Sequence, residues 1–133
     1  MKNVYVYPAV FTAEKSGYSV NFPDLESCYT CGDDLPDSLR MAADVLALTL
    51  YEYERDHRAI PAPSDRRSIQ LAENEFINDI SADTAHYQRK FNSKAVKKTL
   101  TIPAWLNDLA VTEKINFSQT LQDALAAKLN VQI

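Results

Sequence analysis

The sequence predicts an α+β protein of two modules, a β-β-β-α-β layer over residues 1–90 and a strand-helix-helix segment over residues 91–133. Three observations predict it. The chain opens with runs of β-branched and aromatic residues broken by turn chemistry, and these give way to one long amphipathic pattern. Further on, Lys97, Thr99 and Thr101 alternate with Lys98, Leu100 and Ile102 until Pro103 closes the run, the period of a short half-buried strand. Charge also sorts by segment. Residues 1–90 carry nine Lys or Arg against fifteen Asp or Glu, a net −6, whereas residues 91–133 carry five against three, a net +2. Such a split suggests two modules with two kinds of partner.

VYVYPAVF, from Val4, reads as the first strand, and Glu14-Lys15-Ser16-Gly17 as the turn into a second, YSVNF at 18–22. Pro8 lacks a ladder donor, so it belongs at an edge or a bulge. A third strand around Ser27 to Cys31 follows Pro23-Asp24. Gly32-Asp33-Asp34 then introduces a helix with Pro36 in its first turn, where a missing N–H costs nothing. Leu35, Leu39, Ala42, Leu46, Leu50 and Tyr53 recur at three and four residues, the stripe expected to lie on the sheet. The helix cannot pass Ile60-Pro61-Ala62-Pro63. Ser68-Ile-Gln-Leu alternates and is expected to return as the fourth strand. Beyond Glu73 the pattern is less regular, with EFINDI admitting a further short strand and residues 83–91 a short helix capped by Ser81 or Asp83. Asn92-Ser93 reads as a boundary.

Several function classes are disfavoured at once. No run approaches the length of a membrane span, and MKNVYVYPAV lacks the pattern of a signal peptide, so the chain is expected in the cytoplasm without a membrane partner. Cys28 and Cys31 form a C-x-x-C, which in a helix start reads as a redox pair and beside further ligands as a zinc site. Here it lies in a strand pattern, where residues three apart face opposite sides, and His57 and His86 stand apart from it and from each other. The cysteines are therefore read as structural. Asp24, Glu26, Asp33, Asp34, Asp37 and Asp44 form an acidic group that magnesium-dependent nucleic-acid cleavage would use. Cap and turn positions account for most of them, no nucleophile stands beside a base, and the whole chain has two glycines, too few for a phosphate loop. The expectation is a protein that is not an enzyme and needs no cofactor or metal.

The C-terminal segment poses a pairing problem. Pro103 starts a helix whose Trp105, Leu106, Leu109 and Ala110 form one apolar stripe; a second begins at Asn116, with Gln119 three residues on, and repeats Phe117, Leu121, Leu125 and Leu129. No later strand exists to pair with residues 97–102, and so short a segment cannot bury both stripes alone. A second copy answers both needs. Antiparallel strands from two chains would complete one ladder, while Leu100, Ile102, Trp105, Phe117, Leu121 and Leu125 close a shared dimer core.

KKTLTIPAWL followed by NFSQTLQDAL resembles a ribbon-helix-helix DNA-binding domain. The resemblance implies an obligate dimer whose two-stranded ribbon enters the major groove. The outward positions that match are Lys97, Thr99 and Thr101, with lysine able to donate to guanine and threonine to pack on thymine. It also implies a phosphate contact at the start of the second helix, which matches Asn116, Phe117 and Ser118. Where that family often carries arginine in the ribbon, this strand has two threonines, which implies modest affinity unless dimers bind side by side.

YPAVF, GYSVNFPDL, the strand-ending CGD and the helix-closing IPAPS resemble the HicB antitoxin family, whose first domain is a partial RNase H-like fold. That resemblance implies an antitoxin of a type II toxin–antitoxin system. The N-terminal domain would neutralise a small basic HicA-like ribonuclease toxin that cleaves mRNA, and the C-terminal domain would bind operator DNA as a transcriptional repressor in autoregulation. The partners implied are thus the toxin, operator DNA and a second copy through the C-terminal domain, open to higher oligomers. From charge alone, Asp24, Glu26, Asp33 and Asp34 are the candidate toxin contacts. The alternative is a free-standing ribbon-helix-helix repressor with a ligand-sensing N-terminal domain.

Overall fold

The computed structural model describes residues 4–131. It forms two units that part between Lys94 and Ala95.

In the first unit β1 (Val4–Glu14), β2 (Gly17–Asn21), β3 (Tyr29–Gly32) and β4 (Glu75–Asp83) make one antiparallel sheet in the order β3-β2-β1-β4, with α1 (Leu35–Arg55) packed on one face. The two-residue period of β1 sets the core: Tyr5, Tyr7, Ala9 and Phe11 are buried toward α1, where they meet Ala42, Leu46, Leu50 and Tyr53. Val20 and Phe22 extend this core on one side, and Ile80 and Ala82 on the other. Each large apolar side chain so buried contributes about 1.5–3 kcal/mol. The first hairpin closes between Glu14 and Gly17, and Gly17 supplies the positive φ of 109° that the turn needs. Pro8 pairs with Asp79 beyond the end of β2, so its missing N–H faces no neighbouring strand.

Both ends of α1 are closed locally. Asp34 accepts from the Asp37 N–H at 2.9 Å while the Asp37 carboxylate accepts from the Asp33 N–H at 3.0 Å, a reciprocal cap. That N–H bond and the neighbouring Arg40 hold the Asp37 carboxyl below its usual range. At the other end His57 takes a left-handed φ of 54°, and the Arg58 N–H reaches back to the Tyr53 carbonyl at 2.9 Å.

Two sequence expectations change. The fourth strand is not Ser68-Ile-Gln-Leu; Arg66–Ser68 is a 3-10 turn capped by Asp65, and the nine residues of β4 pair with β1 from Val4 opposite Asp83 to Thr12 opposite Glu75. Both stretches alternate, but only the longer one matches β1 and places Phe76, Ile80 and Ala82 toward α1. Leu35 and Leu39 do not face the sheet. α1 approaches β3 so closely that a Cβ on Gly32 would lie 2.6 Å from the Ser38 Cα, so small Ser38 points inward, its hydroxyl donating to the Asp34 carbonyl at 2.6 Å. The N-cap position of the short helix after β4, α2 (Ala85–Phe91), is Thr84, which makes no side-chain cap bond; of the two expected caps, Asp83 accepts from the Ala85 N–H at 2.9 Å. Among the described residues no helix is long and apolar enough to cross a membrane.

One buried polar group joins the sheet to both helices. Glu54, 7% exposed, accepts from the Tyr5 hydroxyl at 2.8 Å and from the Gln88 amide at 3.2 Å. Burial, and then the Glu54 carboxylate, push the Tyr5 hydroxyl up to about 12 from the ordinary 10.0. The raised value lies in the folded state, so the stability it reports is complete below pH 10 and lost as pH rises through 12. Alkaline unfolding monitored between those values should therefore be steeper for the native chain than for Tyr5→Phe. Parallel curves would remove Tyr5 as its source.

Candidate functional site

The second unit holds α3 (Ala104–Thr112) and α4 (Phe117–Leu129). Pro103 occupies the N-cap position of α3, its carbonyl accepting from the Leu106 and Asn107 N–H groups, and the turn after α3 is closed by the Lys114 N–H to the Val111 carbonyl and the Ile115 N–H to the Ala110 carbonyl, with Lys114 at φ 56°. Asn116 caps α4, its side chain accepting from the Gln119 N–H at 3.0 Å. The return arm of the expected capping box is not made: the Gln119 amide donates to Asp123 at 2.9 Å instead. Phe117 and Ser118 occupy the first turn, where backbone N–H groups lack intrahelical acceptors.

Burial separates this unit from the first. Trp105 is 65% exposed and Leu100 64%, and Ile102, Leu106, Leu109, Phe117, Leu125 and Leu129 are also exposed. Leu121 is half-buried, and Ala126 is the one buried position among the unit's described residues. Two amphipathic helices therefore present their apolar faces uncovered, a condition that a soluble domain relieves by association. Lys97, Thr99 and Thr101 are exposed and lie in the stretch between Asn92 and Pro103 that forms neither helix nor strand in the single chain. A strand exists through its ladder, and none of the described residues pairs with residues 97–102. The ribbon residues, the α4 start and the six core candidates all fall within one short unit.

The candidate toxin contacts fare differently from one another. Asp24 accepts from the Ser64 N–H at 2.9 Å and from the Ser64 hydroxyl, holding the segment that follows α1, and Asp34 caps that helix. Tyr7 fastens the same segment by donating to the Pro61 carbonyl. Glu26 and Asp33 are exposed and, among the described residues, their carboxylates have no hydrogen-bond or salt-bridge partner. Charge alone could not separate the two pairs, because the partner Ser64 is forty residues from Asp24. Cys28 is buried and Cys31 exposed, on opposite sides as the strand period requires, and no group of three metal-ligating side chains occurs among the described residues.

A family model for the HicB-like antitoxin of bacterial toxin–antitoxin systems matches residues 6–73. The antitoxin HicB 2 of Photorhabdus laumondii is 38% identical over 60 residues, 45% of this chain and 43% of that protein, so the chain spans less than half the length of this curated relative. In fold, a chain of a toxin–antitoxin complex from Streptococcus pneumoniae aligns with a TM-score of 0.62 at 32% identity, over 94% of this chain and 99% of that one. A chain of a HicA3 and HicB3 toxin–antitoxin complex aligns with a TM-score of 0.51 at 22% identity, over 59% of this chain and 99% of that one.

Proposed function

Because the chain belongs to the HicB-like antitoxins of bacterial toxin–antitoxin systems, which are not enzymes, we propose that it neutralises a small basic HicA-like ribonuclease and represses its own operon. The four-stranded sheet with α1 on one face is the toxin-binding part, a partial RNase H-like layer. Residues 91–133 are the ribbon-helix-helix part, which dimerises and reads operator DNA through Lys97, Thr99 and Thr101, with Asn116, Phe117 and Ser118 against a phosphate.

For the antitoxin role the support is the match across nearly all of a chain from a toxin–antitoxin complex. For the DNA role it is the uncovered apolar surface of α3 and α4, directly after a strand pattern that lacks a partner. The −6 of residues 1–90 suits a basic toxin, and the +2 of residues 91–133 suits DNA. Both partners place the working protein in the cytoplasm.

The test is growth of cells expressing the adjacent small reading frame, with and without this protein, followed by copurification. Growth arrest, rescue and a shared peak are expected. A harmless neighbour that does not bind would overturn the antitoxin role and leave a free-standing repressor. Charge reversal at Glu26 and Asp33 together should slow toxin association by roughly tenfold at low salt, since exposed charges act mainly on the encounter. An unchanged on-rate would remove them from the toxin's approach. Asp24 and Asp34 are unsuited to this experiment, because reversing them also breaks the Ser64 tie and the α1 cap.

A further inference from the structure

The outer edge of β4 and a groove beside it have no assigned role. The Ala13 N–H donates to the Asn74 carbonyl at 2.9 Å, which places residues 74, 76, 78, 80 and 82 in the bonded register with β1. The alternate residues therefore turn their backbone groups away from the sheet. Glu75 is satisfied by the Ala72 carbonyl. The outward N–H groups of Ile77, Asp79 and Ser81 have no partner among the described residues, and β4 is the sheet's terminal strand. At nine residues it is more than twice the length of β3, the opposite edge with four. A long unprotected edge is a template for strand addition.

The groove runs along this edge on the α1 side. Ala47 and Ala82 are buried and Ala43 half-buried, forming a floor of methyl groups; exposed Asp44 stands beside it, and His86 and Tyr87 also line the groove. A strand added to β4 would direct alternate side chains over that floor. Alanines leave space for a long aliphatic stem, and the exposed Asp44 carboxylate beside them selects a cation at its tip. β4 itself carries Glu75, Asp79 and Asp83 and no lysine or arginine, with Arg66 bonded to Asp79 at 3.1 Å as the neighbouring cation. Pairing with the same strand of a second copy would crowd six such carboxylates along one seam, so the edge disfavours self-association and suits a basic segment.

We infer that β4 is a strand-addition edge for an extended segment of the basic toxin, with an arginine or lysine of that segment laid over Ala43, Ala47 and Ala82 and its charge against Asp44. The inference rests on the antitoxin reading and specifies which surface holds the toxin. It separates docking at β4 from electrostatic approach by way of Glu26 and Asp33.

The experiment uses the full chain and the purified product of the adjacent reading frame. Amide hydrogen exchange should slow at Ile77, Asp79 and Ser81 on complex formation, with Tyr29 and Cys31 on the opposite edge unchanged. Ser81→Pro removes an outward N–H while sparing the β1 ladder, and Asp44→Lys reverses an exposed rim charge without touching the core. Each should weaken toxin binding at least tenfold, chiefly through faster dissociation, while leaving the melting temperature of the free protein near native. If the native chain binds toxin but exchange at β4 is unaltered, or if Asp44→Lys binds as the native chain does, the edge assignment is overturned and the antitoxin reading stands. If the native chain does not bind the toxin, both fall.

Discussion

Trp105→Ala should dissociate the C-terminal dimer. In the single chain the indole is 65% exposed, beside Leu106 and Leu109 on α3, and in the proposed dimer it would be a core side chain contributed twice. Truncating a buried tryptophan costs about 3–5 kcal/mol, and the two-fold doubles this to roughly 6–10 kcal/mol per dimer. At ~1.4 kcal/mol per decade, the dimer constant should weaken by four or more orders of magnitude. Light scattering across a dilution series reads this directly. DNA binding should disappear in parallel, because a lone strand has no ladder on which to hold Lys97, Thr99 and Thr101. The first unit should melt as before, since its core lies around Phe11, Leu46 and Leu50. A Trp105→Ala protein that remains dimeric at nanomolar concentration places the indole outside the interface.

Lys97→Ala and Thr101→Ala should weaken operator binding while leaving the dimer intact. Both side chains are exposed, and in the proposed ribbon they alternate with Leu100 and Ile102, so neither substitution removes core surface. Each lost base-edge contact costs about 1–3 kcal/mol, and each occurs on both strands of a symmetric ribbon. The combined effect on a palindromic site is roughly one to four decades in affinity. Losses from base contacts differ between operator and unrelated DNA, which separates them from loss of general positive charge. Affinity should also fall steeply with salt, with a slope near 0.9 for each phosphate neutralised. Native affinity in both variants would assign these positions to an ordinary solvated face.

Much of this arrangement is written in short-range chemistry. The alternation of β1 selects Tyr5, Tyr7, Ala9 and Phe11 for the core, the Glu14-Lys15-Ser16-Gly17 turn folds the hairpin, and Asp34 and Asn116 cap the helices they precede. Helix ends were harder to read. With two glycines in the whole chain, His57, Lys114 and Asn130 take the left-handed positions that a glycine would ordinarily mark. The apolar stripes of α3 and α4 were legible, because a stripe is a property of a few turns of chain, and the structure leaves those stripes exposed; the strand period over 97–102 takes no strand form in the single chain. Which acids are free to meet a partner was legible only in part: the Asp34 cap is local, whereas the tie on Asp24 comes from Ser64, forty residues on. Asp24 is tied by Ser64 and Asp34 by the cap it forms, whereas Glu26 and Asp33 project without a partner among the described residues.

By itself, the sequence determined the secondary periods, the turn and cap chemistry, the opposite facing of Cys28 and Cys31, and a C-terminal segment too short to bury its own apolar residues. Only the tertiary structure decided that residues 75–83, not 68–71, complete the sheet; that Ser38 rather than Leu39 faces it; and that β4 ends the sheet with an open edge over a floor of alanines. Propensity and capping act within a few residues and are nearly indifferent to what lies elsewhere. Register and close approach are set by the whole ladder and by the one distance at which α1 fits against Gly32, and those emerge when distant segments compete for the same surface.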